Sequence, residues 1–207
     1  MIKGSWKAIF FYKSGSITLL GGKHMEREIN AIDYLLDEIE QNLKNQKPIS
    51  ALIFALMVPD ICAKILHPSI DSSHQRYRMF YEDNIGKYNQ SPLANENPDW
   101  ERLPYLSGYV AYQLRCKIFH EGENYVHAKD YYTDEVFLIT SKDLCGSSCL
   151  RIDDNGKKHL TLEVNIWDFC IQIVETVRGM QKRGEFDGYA LPTLKIKDEV
   201  LLYKSML

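Results

Sequence analysis

The stretch YQLRCKIFHEG, residues 112–122, decides how this chain of 207 residues is interpreted. Apolar residues recur in it at helical spacing, with Leu114 and Ile118 on one side. Gly122 comes directly after the last residues of this pattern, a position where glycine commonly ends a helix. The stretch therefore predicts the C-terminal part of an amphipathic helix that begins near Ser107.

Arg115 and His120 are the residues of this predicted helix that suggest chemistry. Arginine stays charged at physiological pH, whereas histidine gains or loses a proton near neutrality, and this pair suits chemistry on a phosphodiester. Five residues turn an ideal helix by about 500°, which leaves the two side chains about 140° apart. Either His120 lies at a frayed helix end where the geometry relaxes, or the two residues act across a two-fold interface.

The arginine and histidine, separated by four residues near a helix end, resemble the R-x4-6-H signature of HEPN domains. This helical family includes many metal-independent ribonucleases. The resemblance implies a helical bundle over about residues 26–180 and a homodimer in which the motifs of both copies converge in one cleft. It also implies that His120 exchanges protons with the RNA 2′-hydroxyl and the leaving oxygen, while Arg115 holds the scissile phosphate. Such a reaction uses no metal and no cofactor, because the 2′-hydroxyl is the nucleophile.

A second interpretation comes from a different class of protein, a non-catalytic dimeric helical interaction module. Cys116 favours it, because a polar residue commonly follows the arginine in HEPN domains. An arginine on the flank of a bundle helix usually pairs with a carboxylate, and a histidine at a helix C-terminus can interact with the helix dipole. Both interpretations suit a defence or toxin–antitoxin type system, with an antitoxin or a nucleotidyltransferase as partner.

The pattern before and after the motif predicts the rest of the fold. Apolar periodicity predicts a first helix over residues 26–46, and Ser50 is predicted to cap a second, strongly apolar one. Ser72 and Ser73 are predicted to open a third helix, and Asn165 to cap a last long one.

Between the motif and the last helix the apolar period changes from helical to alternating. Residues 135–140, 150–152 and 159–164 are predicted as strands, and Asn155-Gly156 is a strong hairpin turn signal. The sequence thus predicts a mainly α fold, an HEPN-like helical bundle with a small β-hairpin insertion at about 135–164. Residues 25–207 are expected to form this single domain.

Residues 1–24 leave two interpretations open. Gly21 and Gly22 lie shortly before Met25, and two glycine codons can contain a bacterial ribosome-binding sequence. Met25 would then be the native start and the preceding residues a translated leader. Alternatively, residues 1–24 form a short β-hairpin that turns at Ser14-Gly15.

Composition narrows the class of partner and the compartment. A net charge of −3 argues against an extended nucleic-acid surface, although a small pocket for a few nucleotides is compatible with it. The five scattered cysteines favour reduced thiols in a cytoplasm. Cys145, Cys149 and His159 provide too few ligands for a structural zinc, so no metal is expected. No apolar run suggests a membrane span.

A second basic cluster consists of His74, Arg76 and Arg78 in the predicted third helix. Such a cluster can contact phosphate, but charged residues on a helix usually form a solvated face. The sequence therefore favours a structural interpretation for these three residues and a functional one for Arg115 and His120.

Overall fold

The computed structural model describes residues 6–13, 16–89, 106–123, 135–152 and 158–201. The strands are β1 Trp6–Lys13, β2 Ser16–Asn30, β3 Glu135–Ile139, β4 Ser147–Ile152, β5 Lys158–Asn165 and β6 Thr193–Leu201. The helices are α1 Ala31–Lys44, α2 Pro48–Leu66, α3 Ser73–Asn84, α4 Gly108–Glu121 and α5 Ile166–Lys182, with a 3₁₀ turn at Gly86–Tyr88. The chain divides into a small unit, Met1–Ala31 with Pro192–Leu207, and a large unit, Ile32–Leu191.

The small unit is a three-stranded antiparallel sheet with the order β1-β2-β6. Strands β1 and β2 pair up to Lys13 opposite Ser16, so they flank residues 14 and 15. That turn itself lies outside the described residues. The alternative start at Met25 stays a prediction.

The first helix, predicted over residues 26–46, begins only at Ala31, so the prediction was wrong for residues 26–30. These residues belong to β2 and pair with β6, from Glu26 opposite Lys197 to Asn30 opposite Thr193. The helical pattern of the sequence is local, whereas the pairing joins segments about 170 residues apart, and such tertiary context overrides a weak local preference.

The large unit is mainly helical with a small β insertion, which confirms the mainly α fold class predicted from the sequence. Its single core joins the inner faces of all five helices to residues of β3 and β5. The largest fully buried side chains include Tyr77, Phe80 and Tyr81 of α3. Helix α3 thus brings bulky aromatic rings into the centre of the unit, beside α2 and α4.

Helix α2 lies at the centre of the core. Nine of its 19 residues are buried, and it packs against α3, α4 and α5. By length and composition alone it could cross a membrane, so the expectation that no run is long enough was wrong. A core helix passes the same test, and the burial within the large unit is compatible with a soluble protein.

The predicted starts of α3 and α5 are confirmed, and Ser107, predicted only to lie near the start of α4, caps that helix. The side chains of Ser72, Ser107 and Asn165 each accept hydrogen bonds from the first-turn N–H groups of α3, α4 and α5. The predicted Ser50 cap of α2 is wrong. That helix begins at Pro48, whose fixed φ and missing N–H suit the first helical position.

The insertion is a three-stranded sheet in which β5 lies between β3 and β4. Strands β4 and β5 are antiparallel and flank residues 153–157, which include the predicted Asn155-Gly156 turn and lie outside the described residues. The sequence did not predict that β3 pairs parallel to β5. The Asn165 amide nitrogen donates to the carbonyl oxygen of Ser141 at 2.9 Å, which fastens the loop after β3 to the start of α5.

Candidate functional site

Helix α4 is fixed at its first turn. Ser107 is buried and caps the helix, and the Gly108 N–H donates to the Glu82 carboxylate of α3 at 2.6 Å. Val110, Ala111 and Leu114 are fully covered. Because these residues define the inner face, Arg115 lies on the flank of the helix.

Arg115 forms an ion pair with Asp60 of α2. The distance from Arg115 Nη2 to Asp60 Oδ2 is 2.7 Å, and the two side chains are 24 % and 26 % exposed. The guanidinium carbon also lies 5.8 Å from the ring centres of Tyr112 and Phe119. This is the carboxylate partner that a structural arginine would have, and it fixes the guanidinium between α2 and α4.

His120 lies in a different environment, in the exposed last turn of α4. Lys117 pairs there with Glu121 and with Glu123, the latter at 3.7 Å. Gly122 ends the helix with φ of 69° and ψ of 18°, the left-handed conformation that favours glycine. Within the part of the chain that the structure describes, no contact joins His120 to Arg115, so one copy of the motif does not form a convergent site.

A group of rings surrounds Tyr112 at the place where α2, α3 and α4 meet. The ring centre of Tyr112 lies 4.7 Å from that of His74 and 5.4 Å from that of Tyr77. His74 also meets Tyr109 at 5.9 Å, and the Arg78 guanidinium carbon lies 5.4 Å from the Tyr109 ring. We call His74, Tyr77, Tyr112, Arg115 and Asp60 the Tyr112 junction.

Three polar atoms of this junction are buried and lack a hydrogen-bond partner: His74 Nε2, Tyr77 Oη and Arg115 Nε. Burial raises the pKa of Tyr77, with Arg115 lowering it and Asp60 raising it by smaller amounts. Burial and the charge of Arg78 lower the pKa of His74. The junction therefore holds a protonated phenol, a neutral imidazole and a guanidinium around one ring.

The basic cluster predicted as a solvated face divides in the structure. Arg76 turns away from α4 and donates to the backbone carbonyl of Asp71 at 3.0 Å. His74 turns toward α4 and joins the Tyr112 junction. The spacing of His74, Tyr77 and Tyr81 places them on one helix face, a pattern that could have shown that His74 belongs to a packed surface.

A cleft of about 910 Å³ lies beside α1 and α5. Its walls include Glu40, Lys44, Lys142, Asp143 and Trp167. The Trp167 indole N–H donates to the Thr140 carbonyl oxygen at 3.0 Å, so this polar group is already paired. Mixed charges and satisfied groups give this cleft no evident chemistry.

The described residues contain no group of three or more histidine, cysteine or acidic side chains that could hold a metal ion. Cys145 is exposed and free, and the side chains of Cys149 and His159 lie outside the described set. No protein-family model, no curated protein and no solved structure matches the chain.

Proposed function

We propose that this chain is a metal-independent endoribonuclease of HEPN-like type that acts as a cytoplasmic homodimer, with Arg115 and His120 as its catalytic residues. One observation supports the proposal above others. Asp60 positions the Arg115 guanidinium at 2.7 Å, while His120 on the same helix stays exposed to a substrate. A charged group held in place and a free proton-transfer group are what phosphodiester cleavage needs.

The proposed reaction is transesterification within the RNA. His120 takes the proton of the 2′-hydroxyl, and the resulting oxygen attacks the adjacent phosphorus. The bond from phosphorus to the 5′-oxygen breaks, and this oxygen takes up a proton from an imidazolium. Arg115 neutralises the extra negative charge on the phosphate oxygens. The products are a 2′,3′-cyclic phosphate and a 5′-hydroxyl.

A second copy of the chain is needed because the two side chains lie about 140° apart on one helix. The helical angles place Phe119 between them on the outer face of α4, where this side chain is 41 % exposed. An exposed aromatic ring at that position favours contact with a second α4. Two copies that meet there would bring Arg115 of one protomer near His120 of its partner.

The test is RNA cleavage with purified protein in the presence of a chelator. Single-stranded RNA should be cut to fragments with 2′,3′-cyclic phosphate ends. Arg115→Ala and His120→Ala should each lower the rate by about 10²–10⁴-fold. Lys117→Ala is the matched control, a basic residue of the same helix whose loss should leave the rate within about twofold.

Mixing the two inactive variants tests the shared site. If Arg115 of one copy works with His120 of the other, a mixed dimer contains one intact site. Random exchange gives mixed dimers in about half of the population, so about a quarter of the wild-type rate should return. A mixture as inactive as its components would contradict a site shared between copies.

The second candidate function is a non-catalytic dimeric interaction module, with an antitoxin or a nucleotidyltransferase as partner. The ion pair with Asp60 favours it, because a carboxylate at 2.7 Å already neutralises the Arg115 charge. Under this alternative, no RNA cleavage is measured, and Arg115→Ala lowers stability by leaving Asp60 unpaired. The two outcomes separate the candidates with the same set of variants.

A further inference from the structure

We infer that Tyr112 is a positioning residue of the proposed ribonuclease. Its ring holds the Arg115 guanidinium from within α4, while Asp60 of α2 holds the same group through the ion pair. In this role Tyr112 does not touch the reacting atoms and acts only through Arg115. The role rests on the proposed function, so its test includes a readout that needs no cleavage of RNA.

The spacing along α4 places Tyr112 beside Arg115. Residues three positions apart are neighbours on the surface of a helix, and side chains lean toward the N-terminus of the helix. The Arg115 side chain therefore lies over the turn that carries Tyr112. Its guanidinium carbon is 5.8 Å from the centre of the Tyr112 ring, within the range of a cation–π contact.

The ion pair with Asp60 does not by itself fix the plane of the guanidinium. The hydrogen bond joins Arg115 Nη2 to Asp60 Oδ2 at 2.7 Å, and rotation about this contact changes the direction of the other nitrogens. A ring against the guanidinium restricts that rotation. With both contacts in place, the charge is already oriented when a phosphate arrives, so the transition state needs little reorganisation.

Two rings lie near the Arg115 guanidinium, and they differ in how they are held. Phe119 lies at the same distance of 5.8 Å, but its side chain is exposed. The Tyr112 ring lies 4.7 Å from that of His74 and 5.4 Å from that of the fully buried Tyr77, both on α3. A ring packed against a second helix keeps its rotamer, whereas an exposed ring changes rotamers within nanoseconds. Tyr112 is therefore the ring suited to positioning.

The first measurement separates kcat from KM with single-stranded RNA. Tyr112→Leu removes the ring and keeps an apolar side chain. We expect kcat to fall about tenfold and KM to stay within about twofold, because the orientation of the charge matters most in the transition state. Tyr112→Phe keeps the ring and should retain kcat within about twofold. A loss in Tyr112→Phe as large as that in Tyr112→Leu would assign the effect to the hydroxyl and overturn the proposal.

Tyr109→Leu is the matched control. Tyr109 lies one turn earlier on α4, and its ring centre is 5.9 Å from that of His74 and 5.4 Å from the guanidinium carbon of Arg78. Its truncation also removes ring contacts between α3 and α4, but kcat should stay within about twofold of wild type. Melting temperatures show that both leucine variants fold. Equal losses of kcat in the two variants would show a general effect of packing and overturn the proposal.

A role through Arg115 also predicts that the two substitutions are not additive. In the Arg115→Ala background, Tyr112→Leu should lower kcat by less than about twofold, because the group that the ring positions is absent. A further tenfold loss in the double variant would show that the ring acts on something else.

The readout without RNA is the mobility of the Arg115 side chain in the intact protein. Its Nε–H resonance, assigned by its absence in Arg115→Ala, should have an order parameter above about 0.6 in the wild type and a lower one in Tyr112→Leu. A mobile Arg115 in a wild type that cleaves RNA would overturn the positioning role alone. A rigid Arg115 that loosens in Tyr112→Leu, in a chain that cleaves no RNA, would overturn the ribonuclease and leave the hold of the ring on Arg115.

Discussion

The two ends of α4 differ in how the rest of the molecule holds them. At Tyr112 and Arg115 the helix contacts α2 and α3 through rings and an ion pair to Asp60. At His120 the support that the described residues provide is local, the Lys117–Glu121 pair and the Gly122 cap. The sequence motif does not distinguish the environments of Arg115 and His120, whereas the fold holds Arg115 in place and leaves His120 exposed.

This difference assigns the two residues different roles in any chemistry at α4. A fixed guanidinium is suited to orienting a phosphate, because little reorganisation is needed when the ligand arrives. An exposed histidine can reach a substrate or a second copy of the chain, but it gains no positioning from its own protomer. Substitutions in these two parts of α4 test whether they differ as much as their contacts indicate.

Core truncation should give the largest contrast between the two ends. Leu114 is fully buried one residue before Arg115, so Leu114→Ala should lower the free energy of unfolding by about 2–5 kcal/mol. His120→Ala, in the exposed last turn, should change it by less than about 0.5 kcal/mol. Urea unfolding curves measure both, and equal losses would show that the last turn is packed as tightly as the middle.

Substitution of Gly122 tests the backbone conformation that ends α4 next to His120. Its φ of 69° lies in the left-handed region, where a side chain costs about 1–2 kcal/mol, so Gly122→Ala should destabilise by that amount. No atom lies within 4 Å of the added Cβ, so the loss would come from the backbone alone. Gly179→Ala is the opposite control, because Gly179 lies inside α5, where alanine is the better helix former. Destabilisation of equal size by both changes would contradict the prediction.

Capping and burial were predictable because they depend on neighbouring residues. Ser107, Gly122 and Asn165 could be assigned from sequence, since each acts on a backbone group within a few positions. The Arg115–Asp60 pair could not, because 55 positions separate the two residues and only the packing of α2 against α4 brings them together. A carboxylate partner for Arg115 was part of the non-catalytic interpretation, and its identity depends on tertiary structure.

The contacts of the Tyr112 junction could not be predicted from the sequence for the same reason. His74 was noticed as part of a charged cluster, and its contact with Tyr112 depends on the approach of α3 to α4. Charge patterns alone do not reveal which side of α3 is covered, whereas the aromatic residues at 77 and 81 do. The helix predicted at residues 26–30 was wrong for a related reason, because the strand found there pairs with β6 at the far end of the chain.

Loss of the Arg115–Asp60 ion pair should lower the free energy of unfolding by less than Gly122→Ala does. In a double-mutant cycle of Asp60→Ala and Arg115→Ala, we expect a coupling free energy of about 0.5–1 kcal/mol, because both side chains are about a quarter exposed. Chemical unfolding of the wild type, both single variants and the double variant gives this value. A coupling indistinguishable from zero would mean that Asp60 does not hold Arg115, and the contrast between the ends of α4 would weaken.

The smallest expected effect is a pH dependence of stability at His74. Its pKa in the folded state lies below the ordinary value of 6.5, so below pH 6.5 the unfolded chain binds a proton that folded His74 does not. Stability should therefore rise with pH through the window between the two pKa values and decline on acidification. Burial is the larger cause of this lowered pKa, and the charge of Arg78 is the smaller one.

The measurement compares urea unfolding of the wild type and His74→Gln between pH 5 and 7.5. The variant should lose part of this slope. Identical slopes for wild type and His74→Gln would place His74 in water and remove it from the junction.

Gly108 has a consequence for how α4 can move. A Cβ at this position would lie 2.9 Å from the backbone carbonyl oxygen of Arg78, so α3 and α4 meet there without an intervening side chain. Since the Gly108 N–H also bonds to Glu82, the first turn can neither slide along α3 nor rotate on it. Any bending of α4 therefore displaces its last turn most, where His120 lies about 18 Å from Gly108. The protein thus carries its exposed histidine at the free end of a helix whose first turn is held by backbone contact with α3 and by Glu82.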